Sequence, residues 1–218
     1  VSVLTTIAAF ALAQHTRAPF AARLFLCTFL LALGAIALLL GGRLSFDATW
    51  ASRLQPLIAV MVAPAAYLGF RALTQDWAAP LRRTLLWNGV PVVVAQAAIL
   101  ARVPISADAF VLTINCVYLV RIATLLRLGG DDFAQVPPQS LRLVRAAISA
   151  TIVLIGMMVA TDLLIVTAGL FAGDMAILRL LTGVSGVFTA FVFVVALAGF
   201  PMAMGGTKRA SPRAEDAG

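Results

Sequence analysis

The residues that could do chemistry in this chain are the few polar groups embedded in apolar sequence. Asp162 stands alone in a run from Ala146 to Gly173, and Arg121 interrupts another that extends from Ala109 to about Leu126. An ionisable group in such surroundings is costly and marks a candidate functional site. Arg121 lies about 13 residues from Asp108, and Asp162 about 11 from Gly173. If those two positions are the outer ends of their helices, a rise of 1.5 Å per residue puts both groups within roughly 3 Å of one depth. The expectation is an Arg121–Asp162 ion pair facing a bundle interior. The competing arrangement extends the Arg121 head to the interface and leaves Asp162 protonated or bonded to hydroxyls. Asn115 and Tyr118 precede Arg121 at three-residue steps, on one helical face. With Asn88, Gln96 and Thr161 they could line a small polar cavity that receives a ligand. Interhelical hydrogen bonding, worth about 0.6 kcal/mol per pair on average, is the simpler role.

Other chemistries lack their residues. A retinal Schiff base needs a lysine inside the bundle, and the one lysine, Lys208, is in the polar tail. Haem held between helices wants histidine ligands, commonly a pair. The sole histidine, His15, falls at a membrane edge. Cys27 and Cys116 sit in apolar runs and read as small buried hydrophobes, not as a disulfide pair. No GxSxG, HExxH or P-loop pattern is present. No catalytic residue, cofactor or metal is expected, and the chain reads as non-enzymatic.

The elements that position these groups follow from composition. Of 218 residues 62% are hydrophobic and 11% charged, and the mean hydropathy is +1.03. A soluble globular chain is about 25% charged, so this one lacks the groups to cover a surface in water. Its solvent is lipid. Lipid cannot satisfy backbone N–H and C=O groups, so spanning segments must be helices or a closed barrel. The alternating ~10-residue segments of a barrel are absent. The expected fold is therefore all-α, a polytopic bundle of about seven transmembrane helices over residues 1–16, 24–42, 54–73, 84–101, 108–127, 146–171 and 178–204. A polar tail follows at 207–218. The first run is short for a ~30 Å hydrocarbon core. Pro64, Pro91 and Pro201 fall inside helices, where neighbouring helices in a membrane make kinks tolerable. Pro56 fits near a helix start.

Charge sets the orientation. With seven spans, one set of loops holds Arg17, Arg23, Arg71, Arg82, Arg83, Arg121, Arg127, Arg142, Arg145, Lys208, Arg209 and Arg213, twelve cations. The other holds Arg43, Arg53, Arg102 and Arg179, four. The richer side is cytoplasmic, which makes the chain N-out and C-in and explains its net charge of +7 without nucleic acid. No cleavable signal peptide is evident. Gly129–Ser140 has the composition of a cytoplasmic surface loop. No internal repeat supports an inverted-repeat transporter.

Leu54–Leu73 (LQPLIAVMVAPAAYLGFRAL) resembles the third helix of the membrane-embedded N-terminal region of certain AraC/XylS-type bacterial transcriptional regulators. Arg23–Leu40, Tyr118–Leu128 (YLVRIATLLRL) and Asp162-Leu163 also look like that region. The resemblance implies a seven-helix module followed by a cytoplasmic helix-turn-helix domain. Here ten residues follow Lys208, too few for such a domain, so DNA would be reached only through a domain not present in this chain. What the resemblance implies is a non-enzymatic sensory or regulatory module of the bacterial inner membrane. Two alternatives stand beside it: an accessory subunit of a larger inner-membrane complex, and a small transporter using the Arg121/Asp162 region. The expected partners are the bilayer and either another membrane protein or a second copy of the chain.

Overall fold

A computed structural model describes residues 2–14, 19–46, 49–74, 81–101, 103, 106–129, 132–133, 135–136 and 138–171, and among these residues there is helix and no strand. The helices are α1 (Ser2–Gln14), α2 (Phe20–Phe46), α3 (Thr49–Arg71), α4 (Leu81–Leu100), α5 (Ala107–Leu125) and α6 (Leu141–Phe171). A short 3-10 turn, Pro138–Ser140, leads into α6. Helices α2 to α6 are long and apolar enough to cross a bilayer. By these helices the chain is a membrane protein. The 13 residues of α1 reach only about 20 Å. The expected seventh span, the tail, His15 and Lys208 lie outside the described residues.

Apolar runs end at the first charge, but helices do not. Helix α2 starts at Phe20 and takes in Arg23; α6 starts at Leu141 and takes in Arg142 and Arg145. Arginine is a good helix former, and a terminal turn at the interface keeps its charge in water. Helix α5 begins where Ser106 accepts a hydrogen bond from the Ala109 N–H on its side chain, with Asp108 in the first turn. Both satisfy or complement the partly positive helix start. Helix α3 closes through a tightened turn in which the Thr74 hydroxyl donates to the Arg71 carbonyl. Pro56, Pro64 and Pro91 all lie within continuous helix.

Helix α3 is the centre, touching α2, α4, α5 and α6. Val60, Val62, Ala63 and Ala66 on it are fully enclosed. Small residues let backbones approach closely, which matters in lipid because no hydrophobic drive pulls apolar helices together. Outward faces are equally apolar: Leu38, Trp87, Val120 and Leu163 are exposed, as contact with acyl chains requires. Helix α1 lies on α2, joined by the Ser2 hydroxyl donating to the Gly34 carbonyl at 3.0 Å and the Cys27 thiol donating to the Ala9 carbonyl at 3.2 Å. Both cysteines are free, but neither is the buried filler their apolar context suggests. Cys27 is half-buried and Cys116 exposed, the latter on the outward side of α5.

Candidate functional site

The polar residues gather where α3, α4 and α5 meet. Asn88, two turns into α4, is buried. Its amide nitrogen donates to the Thr84 carbonyl of its own helix at 2.7 Å, which turns the amide oxygen toward α5. That oxygen accepts from the Tyr118 hydroxyl at 3.0 Å and from the Arg121 guanidinium at 2.8 Å. The Asn88 backbone carbonyl lies 3.2 Å from the same hydroxyl. Three residues on, Pro91 has no N–H to offer, which removes the helical partner of the neighbouring Trp87 carbonyl.

Two tyrosines complete the cluster. The rings of Tyr67 on α3 and Tyr118 on α5 meet edge to face, with centroids 5.7 Å apart and planes at 62°. The Arg121 guanidinium carbon is 5.5 Å from both centroids. That of Arg71, one turn past Tyr67, is 5.9 Å from the Tyr67 ring, and its guanidinium donates to the Tyr67 hydroxyl at 2.6 Å. Arg121 is thus held by an oxygen and two rings and Arg71 by an oxygen and one ring, with no carboxylate partner among the described residues. Attraction to a ring is worth about 0.5–1 kcal/mol when exposed and about 2 when desolvated.

Asn115 sits one turn before Tyr118 on the buried stripe of α5 that also holds Val111, Ile114, Ile122 and Leu125. It has no exposure, and among the described residues neither its amide oxygen nor its amide nitrogen has a hydrogen-bond partner. A buried, unpaired amide costs about 1–3 kcal/mol.

The expected Arg121–Asp162 ion pair does not form. Arg121 is four residues from the end of α5, and the start of α6 is tied to that same end by Arg145 donating to the Leu128 carbonyl at 3.0 Å. Asp162 is 21 residues from Leu141, about 30 Å along α6. Helices α5 and α6 run antiparallel, so Asp162 lies toward the end of α5 at which Asp108 stands. Depth measured from the outer ends misplaces Asp162 because α6, at 31 residues, is far longer than the 19 residues of α5.

The wider polar cavity also separates into parts. Gln96 donates to the Leu57 carbonyl on α3 at 2.9 Å, and the Thr161 hydroxyl back-bonds to Met157 within α6. Asn88, Tyr118 and Arg121 come together; Asn115 lies beside them, and Asp162 stays apart. Tyr67 and Arg71 were not anticipated as site residues. Their signal is an aromatic and a cation at i, i+4 in the last turn of a span, a spacing that brings the two side chains together. Compared with protein-family models, curated proteins and solved structures, the chain gives no match.

Proposed function

We propose that the chain is a non-enzymatic sensory or regulatory module of the bacterial inner membrane, resembling the membrane region of AraC-like regulators. It has seven helices and lies N-out and C-in. The Asn115 amide carries this reading. A bundle built for packing alone gains by filling that position with an apolar side chain, yet a carboxamide with no partner among the described residues occupies it. It borders the network in which Asn88, Tyr118 and Arg121 join α4 to α5. A ligand or partner that engages this region biases the packing of α3, α4 and α5, and the arginine-bearing end of the bundle relays the change. The orientation is supported by the described arginines: Arg23, Arg71, Arg83, Arg121, Arg127, Arg142 and Arg145 belong to one end, Arg43 and Arg53 to the other. The richer end faces the cytoplasm.

Asn115→Leu tests the reading because stability and function should part. The variant is expected to unfold about 1–2 kcal/mol later than wild type, since an unmet polar group is replaced by a similar apolar volume. In the source cell, deleting the gene should change transcription of a defined set of genes. Wild type should restore the pattern and Asn115→Leu, at equal membrane abundance, should not. Full restoration by the variant refutes the sensory role. Unchanged transcription on deletion, with co-purification at fixed stoichiometry in a membrane complex, establishes the accessory-subunit alternative instead. Reporter fusions after Ala134 and at Gly218 should both remain cytoplasmic; either one appearing in the periplasm overturns the orientation.

A further inference from the structure

Arg71 and Arg121 belong to different helices yet converge on one ring. Their guanidinium carbons lie 5.9 and 5.5 Å from the Tyr67 centroid, so they are at most about 11 Å apart. Each guanidinium has five N–H donors in a planar fork. Arg71 bonds the Tyr67 hydroxyl through one terminal nitrogen, and Arg121 bonds Asn88 through one of its own. The other nitrogens of both have no acceptor among the described residues, and neither cation has a carboxylate partner there. Tyr67 accepts from Arg71 on its phenol oxygen, which leaves its own O–H proton available to donate. Arg121 is exposed and Arg71 half-exposed, so both can be reached from outside the protein. The stems are nevertheless pinned, one by a hydroxyl and one by an amide oxygen and two rings. Two preoriented cations with spare paired donors, and no carboxylate partner among the described residues, form a receptor for an anion.

We propose that Arg71, Arg121 and the Tyr67 hydroxyl bind a phosphate group, that of an anionic lipid headgroup at the membrane surface. Several observations fit that chemistry. Guanidinium forks match phosphate oxygens two at a time, which a lysine cannot do. The pair sits at the last turns of α3 and α5, where spanning helices leave the hydrocarbon and headgroups begin. Basic pockets between helices at this level are suited to such headgroups. Arg83, Arg127, Arg142 and Arg145 at the same end raise the local concentration of anions without forming part of the clamp. The proposal goes beyond the sensory reading and does not depend on it, because its readout is binding and not transcription.

The test uses the full chain in nanodiscs of phosphatidylcholine alone or with phosphatidylglycerol, and in phosphatidylcholine with added inorganic phosphate. Retained lipid is counted by native mass spectrometry, and binding is followed by the shift in unfolding temperature. Wild type should keep one phosphatidylglycerol per chain and gain thermal stability with it. Arg71→Gln and Arg121→Gln should each weaken retention at least tenfold, and Arg71→Lys should recover only part. Arg142→Gln should retain the lipid. Tyr67→Phe keeps the ring and loses the hydroxyl, so a folded Tyr67→Phe protein should also bind less well. A response to inorganic phosphate with the same variant dependence, and none to the lipid, keeps the phosphate site and reassigns its source to a soluble anion. Equal loss in Arg142→Gln and Arg121→Gln means diffuse surface charge and overturns the clamp, as does absence of binding in every arm.

Discussion

Asn88→Ala is expected to lower stability by about 3 kcal/mol in reversible unfolding from detergent or bicelles. The Asn88 amide oxygen is where a cation on α5, a phenol on α5 and helix α4 come together. Hydrogen bonds to charged groups contribute about 1.5–3 kcal/mol, and truncation also leaves the buried Tyr118 hydroxyl with only the longer bond to the Asn88 backbone carbonyl. Asn88→Asp keeps an acceptor oxygen facing Arg121 and should retain most of the stability. A double-mutant cycle identifies the partner of Arg121. Asn88→Ala with Arg121→Gln should show at least 1 kcal/mol of coupling, toward the top of the about 0.6–1.7 kcal/mol found for interhelical bonds in a membrane. Asp162→Asn with Arg121→Gln should be additive to within about 0.5 kcal/mol. Strong coupling in the second cycle and none in the first would restore the ion pair and refute the cluster.

Gly69→Val should produce a loss of similar size for a steric reason. A Cβ at Gly69 meets the Leu26 side chain at 2.6 and 2.7 Å, and the Leu26 backbone nitrogen at 3.1 Å. The side chain can rotate aside, but the backbone nitrogen belongs to α2, so the two helices must part. Overpacking of this kind costs about 1–3 kcal/mol. Two further methyl groups add volume at an already crowded point, which places Gly69→Val at the upper end, with Gly69→Ala milder. Gly69 lies between Tyr67 and Arg71, so the variant should also displace the tyrosine–arginine cluster. Gly156, with open space around its Cβ position, is the control, and Gly156→Ala should be close to neutral. Equal unfolding of Gly69→Val and wild type would mean that α2 and α3 do not pack as described.

Much of the cluster was legible before any coordinates. Asn115, Tyr118 and Arg121 share a face by spacing alone; Tyr118 and Arg121 both meet Tyr67 of α3, and Asn115 is buried one turn before Tyr118. Asn88 was recognisable as a costly polar group within a span. Tyr67 was not, because a tyrosine in an apolar run looks like any aromatic until a neighbouring helix brings a cation to its ring. Arg71 looked like a boundary charge, and it is one. Its bond to Tyr67 depends on which rotamer the last turn of α3 favours beside α5.

The helical, lipid-bathed character of the chain was determined by the sequence by itself. So was the gathering of arginines toward alternate connections. Hydropathy and the need to satisfy backbone groups act residue by residue, and they require no knowledge of neighbours. Only the tertiary structure decided which polar groups meet. Contact between helices depends on where each begins, how long it runs and how closely its small residues let another approach. Arg145 on the Leu128 carbonyl ties the start of α6 to the end of α5, and Gly69 admits α2 to α3. Those long-range choices put Arg121 beside Asn88 and leave Asp162 toward the opposite end of α5.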